Sequence, residues 1–227
     1  MTEHIFVVQL AIASEHEARF NEVYNTDHLT HMIQVPGAIN CGRYRLQWSD
    51  NTDMQQYIAI YEISDPTAPQ TAAWKQQAGK GAWPVEIRHL TQMRRNGVYR
   101  RISQAAPNSG KVPANGTSLT DTIYFLLQGI PPALEGRFNE LYDGDHIPFM
   151  LKTPGVQGCT RYKLAYSDSG DIPDYLAIYA IDDAELPRTP AWKVQTNKGK
   201  WPMEMRPNFT ARRNGSFRQI GYFEPKR

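Results

Sequence analysis

Two short stretches of the sequence hold side chains suited to proton transfer. Tyr24 and His28 lie four residues apart in the first stretch, and Tyr142 and His146 repeat that spacing in the second. On a helix this spacing places a phenol beside an imidazole. Because an imidazole ordinarily titrates near neutral pH, it can take and return a proton within one turnover. The pattern therefore indicates enolisation, elimination or carbon–carbon cleavage. The alternative is a purely structural role, in which each histidine packs the helix against a sheet.

An aspartate, Asp27 or Asp145, precedes each histidine. Consecutive helical side chains point about 100° apart, so a direct carboxylate–imidazole hydrogen bond is not expected. The carboxylate is expected to accept hydrogen bonds from nearby backbone or to pair with an arginine of the following strand. His31 gives an H-x-x-H spacing, which can suit a metal. Because the second stretch has Phe149 at the matching place and no third ligand is evident, no metal site is predicted.

The strands that follow contain Arg43-Tyr44 and Arg161-Tyr162. Neighbours on a strand face opposite sides, so only one residue of each pair can face a given pocket. An arginine there can hold a carboxylate or enolate oxygen through a forked contact, or it can pair with the aspartate. The other candidate contacts to a substrate, with core packing as the alternative for the aromatic ones, are His31, Tyr57, Tyr61, Trp74, Tyr175, Tyr179 and Trp192.

The composition limits the partners and the location. The 227 residues include 25 basic and 23 acidic side chains in a mixed arrangement, so no basic patch for nucleic acid is predicted. The start, MTEHIFVVQL, lacks the features of a signal peptide, and no segment is apolar enough to span a membrane. A cytoplasmic protein is expected. The two cysteines, Cys41 and Cys159, show neither metal-binding spacing nor a basis for a disulfide in that compartment.

The sequence repeats itself at a fixed shift. His28 and His146 are 146 − 28 = 118 positions apart, and the same shift matches Ile5–Ile102 to the second part of the chain without a gap. Such a repeat indicates a duplicated unit. The intervening segment is rich in Ser, Asn, Gly, Pro and Ala, which is typical of a connector. The predicted organisation is a first repeat over 1–103, a linker over 104–120 and a second repeat over 121–227.

Each repeat is predicted to follow the order β-α-β-β-α-β. An apolar first strand precedes one continuous amphipathic helix that ends at a Pro-Gly pair, and two alternating strands follow. A second helix surrounds Trp74, and a last strand is expected to start near Trp83. This order defines the ferredoxin-like unit, and the fold class is α+β. Two units are expected to cover each other sheet against sheet, with four helices outside, as a pseudo-dimeric α+β barrel.

The segment RFNEVYNTDHLTHMIQVPGAINCGRYR and its repeat resemble the signature of the EthD-like branch of the dimeric α+β barrel proteins. The resemblance extends over nearly all of both repeats. It implies a mostly apolar pocket between helices and sheet in each unit, where a helix histidine acts with tyrosines or arginines on an aromatic or polyketide-like molecule. Family members commonly form homodimers of single units, so this chain resembles a fused version. A monomer or a homodimer of fused barrels is expected.

Together, the motif and the resemblance lead us to predict a cofactor-independent lyase or isomerase. Its substrate would be a small, apolar, oxygenated aromatic or polyketide-like molecule, and one of the two histidines would act as general acid and base. Two alternatives remain: a cofactor-free or haem-dependent monooxygenase or other oxidoreductase, and a non-catalytic binder of hydrophobic metabolites. Because His31 is matched by Phe149 and Trp48 by Tyr166, the two pockets are expected to differ chemically.

Overall fold

Eight antiparallel strands form a closed barrel in the computed structural model, which describes residues 2–107 and 119–225. Around the barrel the order is β1-β3-β2-β8-β5-β7-β6-β4. The strands are β1 (His4–Ala11), β2 (Ala38–Trp48), β3 (Tyr57–Ile63), β4 (Gln92–Ala105), β5 (Thr122–Gly129), β6 (Val156–Tyr166), β7 (Tyr175–Ile181) and β8 (Ala211–Phe223). We refer to residues 2–107 as the first half of the chain and to 119–225 as the second half.

Short helices flank the barrel. The α-helices within the two described ranges are α1 (Glu17–Val23), α2 (Leu29–Met32), α3 (Ala72–Ala78), α4 (Glu135–Leu141), α5 (Ile147–Met150), α6 (Pro190–Thr196) and α7 (Trp201–Glu204). The expected continuous first helix is interrupted in both halves by a π-helical turn, Tyr24–His28 or Tyr142–His146. A π turn contains one residue more than an α turn, and apolar periodicity alone does not reveal it.

The barrel is closed by pairing between the halves. Strand β2 pairs with β8 and β4 pairs with β6, so neither four-stranded sheet keeps an open edge. The structure confirms the α+β class and shows a closed eight-stranded barrel. The inner faces of all eight strands enclose one core, so the sheets of the two halves cover each other as expected, and they are also joined edge to edge.

Strand β1 contributes side chains to two hydrophobic cores, one inside the barrel and one beneath the helices. Ile5 and Val7 point into the barrel, whereas Phe6 and Val8 point outward beneath the helices. This follows from the period-two alternation of a strand, with both faces covered. The barrel interior is filled with large side chains, including Tyr44, so the space available for a ligand lies outside the barrel, between strands and helices.

Two predicted boundaries were wrong. The last strand of each half begins at Gln92 or Ala211 instead of near Trp83 or Trp201, because a π turn, Trp83–Ile87, and the helix α7 precede it. The predicted linker began at 104, but β4 continues through 105, where it still pairs with β6. Residues 108–118 of that linker lie outside the described residues.

In the parts of the chain that the structure describes, no helix combines the length and the apolar character needed to cross a membrane.

Candidate functional site

The π turn Tyr24–His28 brings its first and last side chains together in the outer core of the first half. The rings of Tyr24 and His28 meet edge to face with centroids 5.0 Å apart, and both residues are buried. Trp83 stacks on His28 at 4.5 Å. In the second half Tyr142, His146 and Trp201 repeat the arrangement. Single π turns occur frequently at functional sites.

Asp27 holds the tryptophan over the histidine. One oxygen of its carboxylate accepts hydrogen bonds from the backbone N–H groups of Ala82 (2.8 Å) and Trp83 (3.3 Å). Asp145 likewise accepts from the N–H groups of Lys200 and Trp201, at 2.8 and 2.9 Å. The aspartates therefore bind backbone, as one alternative predicted, and they do not pair with Arg43 or Arg161.

Both histidines are held neutral. Burial, followed by the nearby Arg88 and Arg43, lowers the pKa of His28 to about 3. Burial, followed by Arg206 and Arg161, lowers the pKa of His146 to about 3. In both rings the Nδ1 atom is buried without a hydrogen-bond partner among the described residues. The expectation of titration near neutral pH was wrong, because a desolvated imidazolium is costly in these buried positions.

A second tyrosine accompanies the first in each half. Tyr179 donates a hydrogen bond to the hydroxyl of Tyr142 at 3.3 Å, and Tyr61 interacts with Tyr24 in the same way. Burial raises the pKa of Tyr24 to about 12 and raises the pKa of Tyr61 well above its usual range. These phenols therefore stay protonated and act as hydrogen-bond donors or acceptors, not as bases.

A cavity of about 210 Å³ lies beside His28. Four residues singled out from the sequence line it, namely Tyr24, His28, Tyr61 and Trp74. We call it the first cavity. The other residues that line it are Phe6, Val8, Leu10, Met32, Ala78, Trp83, Arg88, Thr91 and Arg94.

A larger cavity of about 380 Å³, the second cavity, lies beside His146. Tyr179 and Trp192 also line it, as the sequence suggested, whereas Tyr142 is fully buried behind the wall. Although the two halves match residue by residue, the two cavities differ in size and in lining.

The strand arginines lie behind the tyrosines and do not line either cavity. The guanidinium of Arg43 covers the ring of Tyr24 at 4.2 Å and donates to Asn25 and Asn21. Arg161 covers Tyr142 in the same way and forms an ion pair with Asp143 at 2.9 Å. Arg43 and Arg161 therefore pack against Tyr24 and Tyr142, and we no longer propose that the two arginines contact a substrate directly.

Five more of the predicted contacts lie away from the cavities. Tyr44 and Tyr162 belong to the barrel interior, because they alternate with the arginines along β2 and β6. The hydroxyl of Tyr57 bonds to Glu17 and Asn21, and Tyr175 occupies the matching place in the second half. The remaining one, His31, lies at the surface with its Nε2 atom 3.6 Å from Asp27.

Sequence reasoning missed the arginines that line the cavities. Arg88 and Arg94 line the first cavity, and Arg206 and Arg212, at the same shift of 118, line the second. Within the described ranges neither Arg88 nor Arg94 has a carboxylate within ion-pair distance, and Arg88 donates to the carbonyl of Ala78. The match of both positions between the repeats was a usable signal.

Each cavity opens toward a loop from the opposite half. Trp48 and Asp50, from the end of β2, line the second cavity. Tyr166 and Asp168 line the open groove of about 700 Å³ that continues from the first cavity. The loop between β2 and β3, or between β6 and β7, therefore completes the site of the other half. This arrangement depends on barrel closure.

Known structures share this architecture across the whole chain. An anthrone oxidase-like protein superposes with a TM-score of 0.65 and 10% identity, covering 97% of this chain and 93% of its own. A protein of Fusobacterium nucleatum provisionally named a monooxygenase superposes with a TM-score of 0.58 and 10% identity, covering 97% of this chain and 94% of its own. A mutant chlorite dismutase from Candidatus Nitrospira defluvii superposes with a TM-score of 0.56 and 12% identity, covering 96% of this chain and 92% of its own. The fold is the α+β barrel.

No family profile matches the chain, and no curated protein matches it in sequence. At such low identities the structural similarities show the fold alone, so the chemistry has to be argued from the site. Among residues 2–107 and 119–225, no three His, Cys, Asp or Glu side chains are grouped to hold a metal ion.

Proposed function

We propose that the chain is an enzyme that removes a proton from a small, enolisable aromatic substrate without a cofactor, and that the first cavity is its active site. The observation that carries this proposal is the combination, in one cavity, of a neutral buried imidazole and two arginines that have no carboxylate partner among the described residues. His28 accepts the proton, and the same proton returns to another carbon or to a leaving group. The products are those of a lyase or an isomerase.

The low pKa of His28 is compatible with this role. The neutral form of His28 is the one that can accept a proton, and burial keeps it neutral throughout the physiological pH range. When the substrate loses its proton, it becomes an anion beside the imidazole. An opposite charge in a dry site favours the imidazolium, so the pKa of His28 rises at the step where the proton arrives.

Arg88 and Arg94 supply the matching positive charge. Both lower the pKa of His28, so their charges act within the cavity. A developing enolate or phenolate oxygen between them is stabilised by charge-assisted hydrogen bonds. Tyr24 and Tyr61 stay protonated and orient the same oxygen, and the rings of Trp74 and Trp83 pack against the aromatic body.

The residues present do not fit a haem. A haem bound through His28 would have to place its iron and the inner part of its porphyrin in the 210 Å³ beside that ring, and only its outer edge could reach the open groove of about 700 Å³. Sites for drug-sized ligands span roughly 300–1,000 Å³, and a porphyrin is at least that large. The second cavity, at about 380 Å³, lies near the lower limit. We therefore propose no step that uses a haem.

Proton abstraction can be tested by hydrogen–deuterium exchange of 2-tetralone in deuterated buffer under argon, followed by NMR. We expect His28→Ala to reduce the enzyme-dependent exchange about 10²-fold or more, the range that a positioned general base supplies. His146→Ala is the matched control and is expected to keep most of the activity. Exchange that continues unchanged in His28→Ala would remove the histidine from the mechanism.

A second candidate is cofactor-free oxidation of the same substrate anion. The similarity to an anthrone oxidase-like protein favours it. In this reaction the carbanion formed at His28 would react with O₂, and a CH₂ group would become a carbonyl with release of one water. Oxygen uptake with anthrone in air distinguishes this route, because a lyase or isomerase consumes no O₂.

We also infer that the chain arose by tandem duplication of one ferredoxin-like unit related to the EthD-like branch, with a first unit that extends through β4 to residue 105 and a second unit over 121–227. The strand order β4-β1-β3-β2 of the first half reappears as β8-β5-β7-β6 in the second, at the shift seen in the sequence. Each unit takes the place that a separate subunit would have in a homodimer.

A further inference from the structure

We propose that the second cavity is a separate binding site for an uncharged aromatic ligand that carries an O–H or N–H donor, such as a phenol or a carboxamide. The proposal concerns binding at the second cavity only, so it stands independently of the reaction proposed for the first cavity.

Gln128 is the residue that carries the proposal. Its side chain lines the second cavity and is 2% exposed, and its Oε1 atom has no hydrogen-bond partner among the described residues. An unpaired buried acceptor costs free energy, because it has lost its hydrogen bonds to water. The first cavity has Leu10 at the matching position, so the fold does not require a polar side chain there. A ligand donor that bonds to Gln128 removes this cost.

The arginine next to Gln128 is already neutralised. Gln128 faces Arg212 across the β5–β8 pair, and Arg212 forms an ion pair with Asp50 at 3.2 Å. Arg212 also donates to the hydroxyl of Tyr124 at 3.3 Å. In the first cavity the corresponding Arg94 has no such carboxylate within the described residues. Lys193 and Arg206 also line the second cavity. At Gln128 itself, an anionic ligand group would meet the carboxylate of Asp50 and an amide oxygen, whereas an uncharged donor would be attracted to both.

The remaining differences also make the second cavity more polar. Tyr124 and Thr196 replace Phe6 and Ala78 of the first cavity. The hydroxyl of Tyr124 donates to Asn214 at 2.8 Å, which fixes its position beside Arg212. The second cavity is also larger, at about 380 Å³ against about 210 Å³. An aromatic ligand with a polar substituent therefore fits the second cavity better than the first.

Two isosteric probes test the proposal on the intact chain by isothermal titration calorimetry. Naphthalene-2-carboxamide is uncharged, whereas naphthalene-2-carboxylate has the same shape and a negative charge. We expect Gln128→Leu, which copies the first cavity, to weaken carboxamide binding about tenfold or more, as for the loss of one buried hydrogen bond. The same variant is expected to leave binding of the carboxylate unchanged, because the carboxylate is expected to bind in the first cavity. Arg94→Gln, which alters the first cavity, is expected to weaken carboxylate binding and to leave carboxamide binding unchanged.

Several results would overturn the proposal. These are carboxamide affinity that survives Gln128→Leu, carboxamide displaced by saturating carboxylate, or no saturable carboxamide binding up to about 1 mM, which corresponds to a weak complex. Tyr124→Phe is the second variant if Gln128→Leu does not fold, and it is expected to weaken carboxamide binding severalfold. An unchanged affinity in a folded Tyr124→Phe would count against the site in the same way.

Discussion

The imidazole of His28 is stacked on the indole of Trp83, with ring centroids 4.5 Å apart and an angle of 25° between the planes. The two residues are far apart in sequence, and both belong to π turns, Tyr24–His28 and Trp83–Ile87. Asp27 joins the turns through its bonds to the backbone at Trp83. The aspartate next to the histidine therefore positions the cavity wall, and it does not polarise the imidazole directly.

Asp27→Ala is expected to lower the free energy of unfolding by about 1.5–3 kcal/mol, because two backbone N–H groups lose a charged acceptor. Trp83 then loses its fixed position, and the near-ultraviolet circular dichroism signal falls. Urea denaturation measures the first effect. Asp145→Ala is the matched variant and should behave alike, so a stable Asp27→Ala protein with an unchanged tryptophan signal would contradict the positioning role.

Gly81→Ala is expected to destabilise the fold by about 1–3 kcal/mol. Gly81 has φ +69°, and a Cβ atom added there would lie 2.2 Å from Oδ1 of Asp27. Gly79→Ala is the control, because Gly79 has φ −90° and its added Cβ would meet nothing closer than 3.4 Å. Thermal unfolding of the two variants should separate them clearly; equal melting temperatures would show that the turn adapts.

The two buried histidines should weaken the fold in acid. Their folded-state pKa values are about 3, below the value of about 6.5 in an unfolded chain, so the unfolded state binds more protons between these limits. Stability therefore falls as the pH drops through this window, by up to about 1.4 kcal/mol per pH unit for each histidine.

The double variant His28→Gln, His146→Gln is expected to flatten this dependence, as measured by urea denaturation between about pH 6 and about pH 4. His89→Gln is the control, because His89 is exposed. If the slope of the double variant equals that of the unaltered protein, the imidazoles are not desolvated in the folded state.

Asn25→Asp is expected to stabilise the first half by a few tenths to about 1 kcal/mol. Asn25 accepts a hydrogen bond from Arg43, whereas the matching Asp143 forms an ion pair with Arg161. The substitution copies that ion pair. Asp143→Asn is the reciprocal variant and should lose a similar amount, as measured by denaturation at low ionic strength. A change of the same sign in both variants would show that the two arginines have different surroundings.

The sequence predicted the strands and the stripe of Tyr24 and His28, because period-two and period-four patterns are local. It did not predict the π turn at Trp83 or the strand start at Gln92, since Asp27 stabilises that turn through a contact between distant segments. The lowered pKa of His28 could not be predicted from the sequence either, because it results mainly from burial in the folded chain. Arg94 was matched between the repeats, but its access to the cavity depends on how the strands close.

Strand β4 also contains a local irregularity that no pattern reveals. Met93 has φ +49°, and the pairing of β4 with β1 shifts by one residue beside it. The matching Ala211 pairs regularly with Gly129. Because bulges reorient neighbouring side chains, Met93 helps to place Arg94 differently from Arg212. The two cavities therefore differ in backbone as well as in side chains.

A ligand in the second cavity contacts residues of both halves, since Trp48 and Asp50 line it together with His146. Its binding free energy therefore adds to the free energy that keeps the two halves joined. Such a ligand therefore holds the two halves of the barrel together. With ligand bound, the chain should resist proteases that cut only after the strands separate, even though the cleavage sites lie far from the cavity.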